Sequence, residues 1–360
     1  MTRNRVLLPN EWWLPVVVAA LAVLPALHAP VAAQQAGPRV SAKAVADDVQ
    51  TMFVQGFDAT KVYLIHGAGA NITAQIGDDG VLLVDTGTGQ ATDKVLAAIR
   101  RLTDKPVRYI INTNADVDHA GGNESVLKAI GGQRTAQGGG GGGVENPDGA
   151  MLVAHQNTAN RMADAADNRP AYPDEVIPKS TFITDNKQIY FNGEPIELWW
   201  HGGHTDGDTL VFFRRSDVIV AGDILNTDTF PIVDLQAGGS LQGVLNGLNH
   251  IVDLSVPRFN QIDGTRIIPG HGYVCNQSDV AEIRDMTTIM RDRIQYMIQK
   301  NMTLAQVEAA RPAVDYSSVY GVASGNGTAD HFIETLYADL KKPRKGPAPL
   351  SGLNFGDGGK

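Results

Sequence analysis

The sequence predicts an α/β protein in which two mixed β-sheets face each other and helices cover their outer sides. Three observations lead there. Short β-rich runs bounded by Gly and Asp outnumber the helical segments, they fall into two groups on either side of residue 180, and helical segments are inserted between them. Two sheets packed face to face with helices outside bury such a pattern in one core.

The elements follow in order. Val62–Ile65, Asn71–Ile76 and Val81–Asp85, with a turn at Gly77-Asp78-Asp79-Gly80, read as an antiparallel meander. Ala91–Leu102 carries Val95, Leu96, Ile99 and Leu102 at helical spacing and leads into the apolar strand Val107–Asn112. A helix is expected near Asn157–Ala166, strands at Gln188–Phe191, Ile196–Trp200, Thr209–Phe213 and Val218–Ala221, a helix at Leu241–Leu254 and a strand at Arg266–Ile268. Beyond Val280 the chain turns helical at Ile283–Lys300 and Asp330–Leu340, and residues 341–360, rich in Gly, Pro and Lys, read as a flexible tail. The six glycines at 138–143 read as a flexible surface loop. They lack the Gly-Lys-Ser/Thr ending of a phosphate-cradling loop and do not join a strand directly to a helix.

The first 33 residues stand apart. Arg3 and Arg5 precede an apolar run from Trp12 to Leu27, and small residues at Val31-Ala32-Ala33 suit a signal peptidase. The expectation is a cleaved signal peptide and a periplasmic or secreted protein. The alternative is an uncleaved anchor, disfavoured because Pro15, Pro25 and Pro30 interrupt a run short of the roughly 20 residues a spanning helix needs. The domain proper is expected over 45–340.

Composition removes several functions. Thirty Lys+Arg against 39 Asp+Glu give a formal charge of −9, which argues against a nucleic-acid or anionic-lipid partner. Cys275 is the only cysteine, so neither an internal disulfide nor a multi-thiolate zinc site can form. A bound metal would rest on His and carboxylates.

Such residues gather where apolar strands end. The strand closing at Ile111 runs into Asn112-Thr113-Asn114-Ala115-Asp116-Val117-Asp118-His119-Ala120-Gly121-Gly122-Asn123. If that loop stays extended, alternate positions 114, 116 and 118 project towards one point beside His119. Alone, such a cluster is also ordinary turn and capping chemistry. The same placement recurs, however, at His204 in His201-Gly202-Gly203-His204-Thr205-Asp206-Gly207-Asp208, at Asp223 closing Val218–Asp223, and at His271 in Pro269-Gly270-His271-Gly272. Strand ends in a layered fold converge on one edge, which is what a metal centre requires.

These segments, from about Val62 to His271, together with the Asp85-Thr86-Gly87 turn, resemble the metallo-β-lactamase superfamily, whose hydrolases include glyoxalase II, lactonases and β-lactamases. The resemblance implies an αββα four-layer sandwich with two metals at one edge. It implies a second metal held by Asp118, His119 and His271, and a first held by Asp116, His204 and a bridging Asp223. The departure is that Asn114 and Asp116 stand where the family's His-x-His-x-Asp-His begins with two imidazoles. Asn114 then offers at best a weak amide ligand, or supports a ligand from behind. Either one metal binds at the second site, or Asp116 serves as an oxygen ligand and two harder metals are held. Zinc is the expected cofactor, as one or two ions, with manganese or iron as alternatives for the oxygen-rich half.

The implied chemistry is activation of water, with Asp118 orienting or deprotonating it, on an ester, thioester, amide or β-lactam of a small-molecule substrate. Two other classes compete: a metal-poor vestigial or binding member of the fold, and a di-iron oxidoreductase, which would need an electron partner. His66 is expected to face substrate and Asp85 to buttress a ligand or fix its loop. His201 is expected to pack or support a ligand from behind, Asp206 and Asp208 to fix loops, and His155, His250, Trp199, Trp200 and Cys275 to be structural.

Overall fold

The computed structural model describes residues 49–136, 144–145, 149–165, 170–256 and 264–342. The expected signal peptide, the glycine run at 138–143, the domain start at 45–48 and the tail from 343 onward lie outside them. No helix among the described residues is long and apolar enough to cross a membrane.

The strands are β1 (Gln50–Phe57), β2 (Thr60–His66), β3 (Ile72–Gly77), β4 (Gly80–Val84), β5 (Val107–Ile111), β6 (Thr135–Ala136), β7 (Val144–Glu145), β8 (Met151–His155), β9 (Ser180–Phe182), β10 (Asn186–Phe191), β11 (Glu194–Trp200), β12 (Thr209–Phe213), β13 (Val218–Asn226) and β14 (Arg266–His271). The helices are α1 (Thr92–Leu102), α2 (Val117–Ala120), α3 (Asn123–Ile130), α4 (Gln156–Ala163), α5 (Leu241–Leu254), α6 (Gln277–Gln299), α7 (Leu304–Ala309), α8 (Ser317–Tyr320) and α9 (Ala329–Lys341). One sheet has the order β1-β2-β3-β4-β5-β8-β9 and the other β10-β11-β12-β13-β14, with β6 and β7 forming a separate ribbon. Both large sheets are mixed: β1 to β4 and β10 to β13 pair antiparallel, while β4-β5, β5-β8, β8-β9 and β13-β14 pair parallel. Parallel neighbours need a crossover, and α1, α3 and α5 lie in those connections.

The period-2 pattern explains the layering. In β4, Leu82 and Val84 face the other sheet while Val81 and Leu83 face α1 and α3. In β12, Val211 and Phe213 point between the sheets, and Leu210 and Phe212 point to α5, α6 and α9. Strands buried on both faces read as continuous apolar runs, which is why these two appeared so plainly in the sequence. The result is the four-layer αββα sandwich. Each fully buried Leu, Val or Phe contributes about 1.5–3 kcal/mol relative to exposure.

A buried polar network also ties the sheets together. Glu194 on β11 accepts hydrogen bonds from Gln75 Nε2 on β3 (2.7 Å), Ser216 Oγ (2.7 Å), and the backbone N–H groups of Arg215 (2.8 Å) and Ser216 (2.9 Å). A buried carboxylate so surrounded is satisfied, and it pins the register between the layers.

Three differences from the sequence reading have local causes. β1 was not expected; residues 50–53 are exposed on this edge strand and a bulge lies between Phe53 and Gln55, so no clean alternation marks it. β8, a five-residue run between two partners, was also missed. Helix α9 continues through Lys341, one residue past the helix end expected from the sequence.

Candidate metal centre

The parallel pairs β4-β5 and β13-β14 set the site. Parallel strands end on the same edge, so the residues after β4 and β5 emerge together, as do those late in β13 and β14. Cross-sheet hydrogen bonds close the two halves: Thr209 N–H donates to Thr113 O (2.9 Å), and Asn71 Nδ2, from the β2–β3 loop, donates to Pro269 O (3.0 Å) and Gly272 O (3.1 Å).

The segment after β5 is not extended. Asp116 occupies the N-cap position of α2, and Asp118 and His119 sit on that single helical turn. The helical rise, rather than strand alternation, brings the carboxylates and the imidazole towards the cavity. Asp223 likewise is not at a strand end. β13 runs on to Asn226, and register shifts against β14 on either side of Gly222 let Asp223 swing in. Gly222 adopts φ +52°, the left-handed region glycine favours, with Thr113 packed against it. Gly270 is required for space: a Cβ there would lie 2.2 Å from Asp223 Oδ1.

Six side chains meet in two triads. The donor atoms of Asp118, His119 and His271 lie within 4.8 Å of one another, as do those of Asp116, His204 and Asp223. Asp223 also links the triads: its Oδ2 is 3.0 Å from His119 Nε2 and 3.8 Å from His204 Nε2, and its Oδ1 is 3.5 Å from His271 Nε2. His204 Nε2 is 2.9 Å from Asp116 Oδ2, and His271 Nε2 is 3.2 Å from Asp118 Oδ2. Two ligand atoms at ordinary zinc distances and a tetrahedral angle stand about 3.3 Å apart.

The arrangement fits a cation on three further counts. His119 Nε2 and Asp223 Oδ1 are buried without a hydrogen-bond partner, although His119 Nε2 lies so close to Asp223 Oδ2. His204 Nδ1 donates to Ile232 O (3.1 Å) and His119 Nδ1 donates to Asp85 Oδ2 (2.8 Å), so in both rings Nε2 is the nitrogen left for the centre. Asp85 is itself held by Thr113, whose N–H donates to Oδ1 (2.8 Å) and whose Oγ1 donates to Oδ2 (2.7 Å).

Electrostatics agree. Burial would lower the pKa of His204, but the hydrogen bond to Asp116 and the charges of Asp223 and Asp208 push it up to about 10. Burial opposes charge at His119 as well, and Asp223 and Asp85 outweigh it, holding that imidazole well above its ordinary range. His271 is raised against burial by Asp118 and Asp223. Asp223 lies well below the usual carboxylate range, because the three imidazoles more than offset its desolvation. Asp118 is lowered too, against burial, by His271 and His119. Without a metal, protons on the imidazoles balance the carboxylates; a divalent cation would displace them.

Asn114 makes two hydrogen bonds beside the triads. Its Nδ2 donates to Asp223 Oδ2 (3.0 Å) and its Oδ1 accepts from Asp116 N–H (3.0 Å). Both bonds fix the amide's orientation. His66 does not line the cavity; it stays in the β-ladder opposite Gln50 at the end of β2. His201 points to His250 (Nε2 to Nδ1, 2.8 Å), where burial and that neighbour lower its pKa to about 4. His155 caps α4 and stacks on Trp200. Asp206 pairs with Arg161, and Asp208 accepts from Thr205 N–H and Oγ1. Cys275 is buried among apolar side chains.

A cavity of about 190 Å³ opens over the triads, lined by Asp116, Asp118, His204, Asp223, His271, Asn226, Ile232 and Asn326. The last three were missed in the sequence: Asn226 lies beyond the expected end of its strand, and Ile232 and Asn326 belong to loops with no motif.

A profile of the metallo-beta-lactamase superfamily matches residues 66–271, more than half of the sequence. The chain belongs to that superfamily, whose fold serves metal-dependent hydrolases. No curated protein sequence matches it. Solved structures of similar fold include a double mutant of the sec-alkyl sulfatase PisA1, with 15% identity and a TM-score of 0.55 over 84% of this chain and 52% of that one. The stereoselective inverting sec-alkylsulfatase Pisa1 from Pseudomonas sp. gives 15% identity and 0.52, covering 79% and 50%. A metallo-beta-lactamase from Pontibacter korlensis gives 19% identity and 0.47, covering 66% and 99%. The chain thus spans about half the length of the sulfatase chains, and at these identities the likeness is one of fold.

Proposed function

We propose that the protein is an exported hydrolase that uses metal-activated water on an acyl bond, whether ester, thioester, amide or β-lactam, of a small molecule. The observation that carries this reading is the meeting of two His–carboxylate triads on Asp223. Asp118, His119 and His271 would hold one cation and Asp116, His204 and Asp223 the other, with Asp223 between them. Zinc suits the first set, with its two imidazoles. The second, with two carboxylates and one imidazole, also suits manganese or iron. The cation, when bound, lowers the pKa of water towards neutrality and stabilises developing negative charge.

The residues do the rest. Asp118 is held ionised and its side chain is 39% exposed, so it can accept a hydrogen bond from an entering water and take its proton. The cavity is smaller than the roughly 300–1,000 Å³ of sites that enclose a whole ligand. Only the reacting group and its immediate neighbours enter, while the remainder of the substrate lies outside.

Metal analysis of protein purified without added metal, followed by assays on p-nitrophenyl acetate, a thioester, a lactone, a chromogenic cephalosporin and a secondary alkyl sulfate, tests the reading. Near-stoichiometric zinc, manganese or iron with turnover of an acyl probe is expected. A chain that binds no divalent cation would be a vestigial member of the fold. Export is tested by the N-terminus of protein recovered from a bacterial periplasm, expected to begin after Ala33.

A further inference from the structure

One cavity side chain is held in place yet has a polar group without a partner. Asn226, 9% exposed, ends β13 directly opposite His271 in the strand register. Its Oδ1 accepts from the backbone N–H groups of Asp228 (2.8 Å) and Thr229 (3.1 Å). Those two bonds decide which way the amide faces. Its Nδ2 has no partner among the described residues, and the side chain lines the same cavity as Asp116, Asp118, His204, Asp223 and His271. An amide fixed at its oxygen and left unpaired at its nitrogen is a preorganised donor, because no reorganisation is needed when charge develops before it.

We infer that Asn226 Nδ2 is the hydrogen-bond donor to the acyl oxygen of the substrate and stabilises the oxyanion formed on it. The inference rests on the hydrolase reading above. In the step, water gives a proton to Asp118 and its oxygen forms a bond to the acyl carbon, while the carbonyl π pair moves onto the acyl oxygen facing Asn226. That pair then returns, the bond to the leaving oxygen, sulfur or nitrogen breaks, and the leaving group takes the proton from Asp118. Asn226 is paired in the strand register with His271, a member of the Asp118–His119–His271 triad. Ile232 and Asn326, also lining the cavity, would flank the substrate outside the reacting bond.

The test compares wild type, Asn226→Ala and Asn226→Asp, each loaded with zinc. Asn226→Asp keeps an oxygen for the Asp228 and Thr229 N–H groups but exchanges the donor for a charged carboxylate, so the uncharged Asn226→Ala must show the same loss of kcat, while a wild-type result in Asn226→Asp decides against the donor even if Asn226→Ala folds poorly. Metal stoichiometry and thermal midpoint are expected to stay at wild-type values in Asn226→Asp. On p-nitrophenyl acetate, kcat is expected to fall by about 100- to 1,000-fold with KM changed little, the loss typical of a single oxyanion donor. Benzylphosphonate, a stable tetrahedral anion, is expected to bind about ten- to a hundredfold more weakly by calorimetry. Wild-type kcat and wild-type benzylphosphonate affinity in Asn226→Asp would overturn the inference while leaving the hydrolase reading intact. A zinc-loaded wild type that turns over none of the acyl probes would overturn both.

Discussion

Asp85 Oδ2 accepts a hydrogen bond from His119 Nδ1 at 2.8 Å, and this contact fixes the imidazole so that Nε2 faces the centre. Asp85 adopts φ +63°, a region that asparagine also tolerates. Asp85→Asn is therefore expected to fold normally yet lose about 10- to 100-fold in metal affinity, the usual effect of removing a ligand's supporting carboxylate. Competition with a chromophoric chelator measures it, and an unchanged affinity would show that the contact only fixes the loop.

The two carboxylates on α2 are expected to separate the triads. Asp116→Ala should lower bound metal by one ion per chain and leave the ion at Asp118, His119 and His271. Asp118→Ala should remove the other ion and abolish acyl hydrolysis. Asp116→His, which adds an imidazole beside His204, should tighten zinc at that half. Metal stoichiometry by mass spectrometry after dialysis distinguishes these outcomes.

Gly270 leaves room for the linking carboxylate. A Cβ at that position would stand 2.2 Å from Asp223 Oδ1, so Gly270→Ala should displace Asp223 and weaken both sites together. Loss of only one ion would contradict the placement of Asp223 between them.

The pH dependence follows from His204, whose pKa is raised to about 10 by Asp116, Asp223 and Asp208 despite burial. A raised folded-state value means that its stabilising contribution is complete below the unfolded value of about 6.5 and is lost as pH rises towards 10. Metal-free protein should thus melt at progressively lower temperature across that interval. Metal affinity should move the opposite way, rising with pH, because the cation must displace the His204 proton. Calorimetry in buffers of different ionisation enthalpy should detect proton release on zinc binding.

Glu194 tests the sandwich apart from the site. Glu194→Ala leaves Gln75 Nε2 and the N–H groups of Arg215 and Ser216 without their acceptor. At about 1–3 kcal/mol for each buried unsatisfied group, the variant should lose several kcal/mol in urea unfolding while binding metal as before below the transition.

Most of the fold was legible because its inner strands are buried on both faces. Val81–Val84 and Leu210–Phe213 are continuous apolar runs that carry their own assignment. β1 was not legible, since an exposed edge strand has no buried face to impose alternation. The candidate ligands were legible for a different reason: Asp116, Asp118, His119, His204, Asp223 and His271 stand in short motifs at or near strand ends, where a polar residue following an apolar run is conspicuous.

The sequence by itself thus determined the layering and the chemical character of the centre, because burial and ligand chemistry act through residue type and spacing along the chain. The tertiary structure alone decided which atoms meet. Asn114 reads in the sequence as a weak ligand or a support for one, and only the fold shows its amide oxygen accepting from Asp116 N–H and its nitrogen donating to Asp223. His66 was expected to face substrate, yet it is not among the residues that line the cavity. Asn226 carried no motif and became visible only where its strand runs past a register shift to lie beside His271. Each outcome depends on the direction of a side chain relative to partners a hundred or so residues away or on pairing register, and no local pattern encodes either.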